Sequence, residues 1–117
     1  MTPDVHHLLS LAGETVLVTG ASGGIGRGIA RRLAEAGAQI VVHCYRNQAA
    51  AEDLAEQVGS DVVVQGDLSD VAAVDAMFAA AAPTMVVNNA AAQPVQALDG
   101  MKFDDWRAVI AANLDGP

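Results

Sequence analysis

The densest run of glycines in the chain, residues 19–26, reads Thr-Gly-Ala-Ser-Gly-Gly-Ile-Gly, with the spacing G-x-x-x-G-x-G. Glycine permits positive φ and has no Cβ to block close approach of a ligand. The first N–H groups of a helix after such a turn are unpaired, and the helix dipole makes that end positive. The spacing therefore predicts a turn that binds a phosphate or pyrophosphate. The alternative is an ordinary glycine-rich turn between a strand and a helix. The residues expected to line the phosphate site are Gly20, Ser22, Gly23, Gly24, Ile25 and Gly26.

Four short apolar runs, rich in β-branched residues, are predicted to be buried strands. They are residues 15–19, 40–42, 62–64 and 85–87. Because helical patterns separate them, they indicate a parallel sheet covered on both faces. Right-handed crossovers then favour an α/β, doubly wound sheet with spatial order 3-2-1-4. In that order the glycine turn lies at the carboxyl end of strand one, beside the switch point where such sheets bind ligands.

Four helices are predicted from apolar residues that recur every three or four positions. Asn47 is expected to cap the second, and Ser69 or Asp70 the third. Gly37 and Pro83 mark the ends of the first and third helices. The expected apolar faces are Ile25, Ile29 and Leu33; Ala50, Leu54 and Val58; Val71, Val74 and Phe78; and Phe103, Trp106, Val109 and Ile110.

Composition excludes several classes of function. The 117 residues suit one domain, and a net charge of −8 argues against a nucleic-acid or anionic-lipid surface. Cys44 is the only cysteine, so neither an intrachain disulfide nor a Cys-rich metal site is expected. His6 and His7 lie in an N-terminal arm, residues 1–12, with no matching carboxylate, so no metal site is predicted. No apolar run is long enough for a membrane span and no leader pattern is evident, so we expect a cytoplasmic protein.

The end of the second strand bears on which dinucleotide could bind. NAD sites usually carry an acidic residue about 20 positions after the glycines, which binds the ribose 2′-hydroxyl. Here the sequence is His43-Cys44-Tyr45-Arg46, without an acid. Arg46 could form charge-assisted bonds to a 2′-phosphate, so we expect NADP(H) to be preferred over NAD(H). The alternative is a solvated arginine. His43 and Cys44 are interpreted as packing residues rather than ligands.

Together these motifs resemble the short-chain dehydrogenase/reductase family, over residues 13–117. Residues 19–26 match its Thr-Gly-x-x-x-Gly-x-Gly turn, and residues 88–90 match its Asn-Asn-Ala-Gly, with Ala91 in place of the last glycine. Residues 66–69, Gly-Asp-Leu-Ser, match the segment after its third strand. Trp106 followed by residues 113–114, Asn-Leu, matches the helix that carries its catalytic asparagine.

The resemblance implies a Rossmann-like fold and roles for particular residues. Asp67 would meet the adenine amino group, with the backbone of Leu68 along the ring. Asn89 and Ala90 would line the ribose and steady the sheet. Asn113 would be the catalytic residue that holds a proton-relay water. The run 43–47 is similar to NADPH-dependent members, including reductases of acyl-carrier and pteridine substrates, although Gly23 stands where the family often has a second basic residue.

The family's Tyr-x-x-x-Lys acid–base pair has no counterpart here. Tyr45 is the only tyrosine, and Ala49 follows it four positions later. The resemblance therefore implies that residues 1–117 are a truncated dinucleotide-binding domain, the NAD(P)-binding half of an oxidoreductase that is inactive alone. Whether the chain by itself is an enzyme stays open.

Two other readings remain. The chain could be a self-assembling nucleotide-binding or structural module, a homo-oligomer joined through the exposed edge of strand four, residues 85–88, and through the last helix. It could also be an α/β binding domain with flavodoxin-like strand pairing that uses no nucleotide. Substitution of Gly24 by a bulky residue distinguishes this last reading. If the glycine turn is only structural, the variant keeps its fold and its nucleotide affinity does not change.

Overall fold

The computed structural model describes residues 2–117, so Met1 of the predicted N-terminal arm lies outside the described residues. The elements in chain order are α1 (Val5–Leu8), β1 (Thr15–Val18), α2 (Gly24–Glu35), β2 (Gln39–Cys44), α3 (Gln48–Val58), β3 (Val62–Gln65), α4 (Val71–Ala81), β4 (Met85–Val87), a 3-10 turn (Leu98–Gly100), α5 (Phe103–Ile110) and a π-helical segment (Ala111–Asp115). The short helix α1 within the arm was not among the predicted elements.

The four strands form one parallel sheet in the order β3-β2-β1-β4, which confirms the predicted topology. Val16 of β1 pairs in register with Ile40 on one side and with Met85 on the other. Because the chain crosses from β3 over the sheet to β4, the strand order reverses between β1 and β4. The carboxyl end of β1 therefore opens into a crevice between two diverging connections.

The sheet buries a different apolar cluster on each face. Alternate residues of a strand point to opposite faces, so neighbouring positions of β1 and β2 contribute to different clusters. Helices α2 and α3 cover the larger cluster, whose buried members are Val16, Val18, Ala21, Ala30, Ala38, Ile40, Val42, Cys44, Ala51, Leu54 and Ala55. Helix α4 covers the smaller one, whose buried members are Leu17, Val41, Val64 and Met77.

The helix caps follow the sequence signals. The side-chain oxygen of Asn47 accepts a hydrogen bond from the N–H of Ala50 at 3.1 Å, at the start of α3. Asp70, rather than Ser69, caps α4 and accepts hydrogen bonds from two first-turn N–H groups. Gly37 follows α2 with a φ of +97°, the left-handed conformation that ends a helix.

The predicted apolar face of α2 was partly wrong. Ile25 is 77% exposed, whereas Gly26 and Ala30 are the buried residues of this helix. Ile25 lies in the first turn of α2 and belongs to neither apolar cluster. Gly26 lies against Gly20 and Ala21, where the absence of a side chain lets the helix backbone approach closely, and Ala30 packs in the larger cluster. Ile29 and Leu33 pack against the larger cluster, as predicted.

The predicted face of α4 was also partly wrong. Val71 is 76% exposed and Phe78 is 42% exposed, while Met77 is buried. The side of α4 that faces the sheet carries residues at i, i+3 and i+7, which are Val74, Met77 and Ala81. Val71 and Phe78 lie on the flank of this stripe.

Two apolar surfaces of the described chain are uncovered. Strand β4 forms an edge of the sheet, and its Met85 and Val86 are each about two-fifths exposed. Helix α5 has no buried residue, and the rings of Phe103 and Trp106 lie 5.5 Å apart on its surface. Val109 and Ile110 of the same predicted face are half-buried.

Candidate functional site

A cleft of about 510 Å³ lies at the carboxyl ends of β1 and β2. Most of the residues predicted to bind a dinucleotide line it, together with His43, Tyr45, Asn47 and Ala91. Its predicted residues are Gly20, Ser22, Gly23, Gly24, Ile25, Gly26, Arg46, Asn89 and Ala90. The topology brings these residues together because parallel strands direct their carboxyl-end loops to one edge of the sheet.

Two glycines of the turn occupy places that a side chain could not share. Gly20 has a φ of +61°, and a Cβ there would lie 2.8 Å from the Cα of Ala90. A Cβ on Gly26 would lie 2.5 Å from the carbonyl oxygen of Gly20 and 2.6 Å from the Nδ2 of Asn89. The turn, the first turn of α2 and the segment after β4 are therefore packed backbone against backbone.

The N-terminus of α2 presents free hydrogen-bond donors to the cleft. Gly23 is the N-cap residue and has no side chain with which to cap the helix. Within residues 2–117, the N–H groups of Gly24 and Ile25 have no acceptor. No Cβ contact lies within 4 Å of Gly24, so the space in front of these donors is open. Unpaired N–H groups, the helix dipole and open space together suit a phosphate.

Thr19, which directly precedes the glycine turn, binds the segment after β4. The sequence reasoning did not include it among the site residues. Its hydroxyl oxygen accepts hydrogen bonds from the backbone N–H groups of Asn89 and Ala90, each at 3.0 Å. The hydroxyl donates to the carbonyl of Val87 at 3.3 Å. A polar residue closing an otherwise apolar strand was the available signal, since a buried hydroxyl requires partners.

Asn89 joins the segment after β4 to the glycine turn. Its side-chain Nδ2 donates to the carbonyl oxygens of Thr19 at 3.0 Å and Gly20 at 3.2 Å. It thus steadies the sheet at the switch point, the structural part of the role that the resemblance implied. Asn89 and Ala90 also line the cleft.

Arg46 is exposed at the mouth of the cleft, where the chain leaves β2. The carbon of its guanidinium lies 4.8 Å from the centroid of the Tyr45 ring, within the range of a cation–π contact. The ring and the guanidinium therefore support one another on the rim. One N–H of the guanidinium donates to the hydroxyl of Tyr45 at 3.5 Å, and within residues 2–117 the other N–H groups have no acceptor and can meet an anion.

A smaller cavity of about 130 Å³ adjoins the cleft on the β3 side and contains Asp67 and Leu68. One oxygen of Asp67, Oδ1, accepts hydrogen bonds from the N–H of Ser69 at 2.9 Å and from its hydroxyl at 2.7 Å. These bonds, reinforced by the charge of Arg46, hold the pKa of Asp67 below its ordinary value. Within residues 2–117, no group donates to the second oxygen, Oδ2, which can accept from an amino group.

Asn113 lies in the π-helical segment that continues α5. Its Oδ1 accepts from the N–H of Ala92 at 2.7 Å, and its Nδ2 donates to the carbonyl of Ala92 at 2.8 Å. The side chain thus acts as a strut between this segment and the residues after β4. The neighbouring Ala112 lines the smaller cavity, so the strut borders the site.

His43 is a second residue that the sequence reasoning did not place in the site. It is 1% exposed and lines both the cleft and the smaller cavity. Its ring reaches the backbone on both sides of β2. The sequence interpretation of His43 as a packing residue is correct for its burial and incomplete for its hydrogen bonds.

Residues 14–117 match the family profile described as short chain dehydrogenase. The chain belongs to this family. One relative, the 3-oxoacyl-(acyl-carrier-protein) reductase FabG of Aggregatibacter actinomycetemcomitans, is 38% identical over 88% of this chain and 46% of that protein. The chain spans less than half the length of the curated relatives it matches first, at 40% and 43% of their sequences.

Solved structures of dehydrogenases share the fold. A gluconate 5-dehydrogenase from Burkholderia cenocepacia J2315, in complex with NADP and tartrate, is 37% identical with a TM-score of 0.79, covering 97% of this chain and 48% of that chain. A dehydrogenase/reductase from Sinorhizobium meliloti 1021 is 27% identical with a TM-score of 0.90, covering 96% and 48%.

Residues 2–117 contain neither a candidate metal site nor a candidate membrane-spanning helix. No group of three or more His, Cys, Asp or Glu side chains is arranged to hold a metal ion. No helix in the same part of the chain is both long and apolar enough to cross a bilayer.

Proposed function

We propose that this chain binds the adenosine and phosphate portion of a dinucleotide for a short-chain dehydrogenase/reductase, and that it prefers NADP(H) to NAD(H). One observation carries the preference. The chain has a net charge of −8, yet Arg46 is the only formally charged residue among those that line the cleft. An anion with an additional phosphate gains from that arginine and meets no carboxylate in the cleft.

The described residues fit such a ligand in three places. Gly24 leaves open space in front of the turn, and the free N–H groups at the start of α2 face that opening. Arg46 provides a fork of donors for a 2′-phosphate at the rim. The free oxygen of Asp67 in the smaller cavity suits the adenine amino group.

The test measures NADPH and NADH affinity for the 117-residue chain and for Arg46→Ala. Loss of a charge-assisted bond at an exposed site costs about 1.5 kcal/mol, so we expect roughly tenfold weaker NADPH binding and little change for NADH. Arg32→Ala is the matched control, because it removes the same charge from the far end of α2. Equal losses for both cofactors would contradict the preference. No binding of either would contradict the site.

We also propose that the chain alone does not catalyse a redox reaction. Tyr45 is its only tyrosine, and Ala49 stands where a Tyr-x-x-x-Lys pair would require lysine. The resemblance to NADPH-dependent carbonyl reductases, such as the acyl-carrier-protein reductase above, motivates a 3-oxoacyl thioester as test substrate. We expect no NADPH oxidation above the rate without protein, and measurable oxidation would overturn this proposal.

A second candidate function rests on the uncovered surfaces. Met85 and Val86 at the sheet edge, with Phe103 and Trp106 on α5, suit a homo-oligomer in which two copies cover one another. Light scattering after size-exclusion chromatography would then give a discrete dimer or tetramer, and a monomer at high concentration would contradict it.

The buried free thiol of Cys44 is compatible with a reducing compartment, so the cytoplasm is the location we propose.

A further inference from the structure

The ring of His43 connects two loops of the site through its two nitrogens. Nδ1 lies 2.9 Å from the backbone nitrogen of Gly20, whose N–H donates to it. Nε2 lies 2.9 Å from the carbonyl oxygen of Gly66. A backbone N–H can only donate and a carbonyl can only accept, so the ring is neutral with its proton on Nε2. The geometry alone therefore fixes both the charge and the tautomer.

The two loops that His43 joins carry different parts of the candidate site. Gly20 begins the glycine turn beside the large cleft, whereas Gly66 immediately precedes Asp67 in the smaller cavity. The backbone of β2 also holds the glycine turn, because the carbonyl of His43 accepts a hydrogen bond from the N–H of Ala21 at 3.0 Å. Together with these backbone bonds, the ring ties the phosphate-binding loop to the adenine-binding loop across the strand that separates them.

We infer that His43 is a positioning residue for dinucleotide binding, and that protonation of its ring releases Gly20 and weakens that binding in acid. This inference rests on the proposed function. A proton on Nδ1 would face the N–H of Gly20, donor against donor at the present 2.9 Å separation. The turn would have to move, and the open space before α2 would change shape.

The surroundings of His43 keep the ring neutral near pH 7. Burial lowers its pKa from the ordinary value, and the hydrogen bond to Gly66 only partly offsets this effect. The charged side chains that line cavities shared with the ring are Asp67, from the loop after β3, and Arg46, from the end of its own strand. His43 also lines a third cavity on the α4 side, and none of the side chains that line this cavity is an Asp, Glu, Lys or Arg; Pro117 is among its lining residues. The loss of affinity therefore begins below pH 6.5.

The test compares wild type with His43→Asn, whose amide oxygen can replace Nδ1 as the acceptor for Gly20 and does not titrate. NADP⁺ and NAD⁺ affinities are measured by calorimetry between pH 7.5 and pH 5. NAD⁺ is included because a 2′-phosphate itself titrates near pH 6. For wild type we expect NAD⁺ affinity to fall towards tenfold per pH unit below the ring's pKa. His43→Asn keeps an acceptor for Gly20 but loses the Nε2 donor to Gly66, so at pH 7.5 it should bind more weakly than wild type, and its affinity should lose this acid dependence.

A second measurement does not depend on any ligand. In a long-range ¹H–¹⁵N spectrum of the His6→Gln/His7→Gln variant, His43 is the only imidazole, and we expect Nδ1 to be unprotonated and Nε2 to carry the proton. The opposite tautomer, or a charged ring at pH 7.5, would overturn the inference. Equal acid dependence in wild type and His43→Asn would also overturn it while leaving the proposed function intact. Absence of dinucleotide binding at pH 7.5 would refute both.

Discussion

Gly26 provides a sharp test of the close packing beneath the cleft. In Gly26→Ala the new Cβ would lie 2.5 Å from the carbonyl oxygen of Gly20 and 2.8 Å from the Cα of Ala21. Both neighbours are backbone atoms, so the clash can be relieved only if the turn moves away from α2. Gly28 lies two residues further along the same helix, and nothing approaches a Cβ there within 4 Å.

The two substitutions share one favourable contribution and differ in one unfavourable contribution. Alanine in place of glycine inside a helix stabilises the fold by roughly 0.5–1 kcal/mol in both variants. Overpacking of a closely packed site costs about 1–3 kcal/mol, and only Gly26→Ala incurs it. The difference in unfolding free energy between the variants therefore isolates the clash, at about 1–3 kcal/mol in favour of Gly28→Ala.

Urea unfolding followed by far-ultraviolet circular dichroism measures this difference. Both variants should keep the m-value of wild type, since neither changes the surface exposed on unfolding. We expect Gly28→Ala to be more stable than wild type, and Gly26→Ala to be clearly less stable than Gly28→Ala. If Gly26→Ala equals or exceeds the stability of Gly28→Ala, the close approach of turn and helix described above is wrong.

Three further predictions concern polar groups that hold the loops. Thr19→Val should lower the unfolding free energy by about 1–3 kcal/mol in urea titrations, because two backbone N–H groups after β4 lose their acceptor, whereas Thr19→Ser should retain most of it. Asp70→Ala should cost about 0.5–2 kcal/mol through loss of the α4 cap, with Asp70→Asn as the conservative control. Because the folded chain lowers the pKa of His43, the unfolded chain binds more protons below pH 6.5. The unfolding free energy should therefore decrease as the pH is lowered below 6.5, by at most about 1.4 kcal/mol per pH unit, until the folded ring is also protonated. Replacement of His43 by Asn should remove this decrease.

The sheet and its switch point could be predicted because the signals are local and strong. Residues 40–42 and 62–64 are continuous β-branched runs, and such runs alternating with helices admit few topologies. The cap at Asn47 follows from a side chain that bonds its own helix start. Predictions of this kind need no knowledge of distant partners.

The buried faces of the helices and the long-range hydrogen bonds could not be predicted in the same way. They depend on which surface each element meets, and periodicity alone does not contain that information. Ile25 fits the apolar period of α2, but it lies in the first turn, outside both buried clusters, and is exposed. Met77 rather than Phe78 faces the sheet, because the rotation of α4 is set by Val64 and Leu17 beneath it. The bridging role of His43 was missed for the same reason, since both of its partners come from other parts of the chain.

The unequal clusters on the two faces of the sheet imply a hierarchy of local opening. Eleven buried residues hold α2 and α3 to β1 and β2, whereas four hold α4. Subglobal opening free energies follow buried apolar contact, so α4 and β4 open more readily than α2 and α3. Amide hydrogens of β1 and β2 should exchange slowest with deuterium. The glycine turn then belongs to the slowly exchanging unit and Asp67 borders the labile one, so a ligand that spans both would slow exchange most in α4.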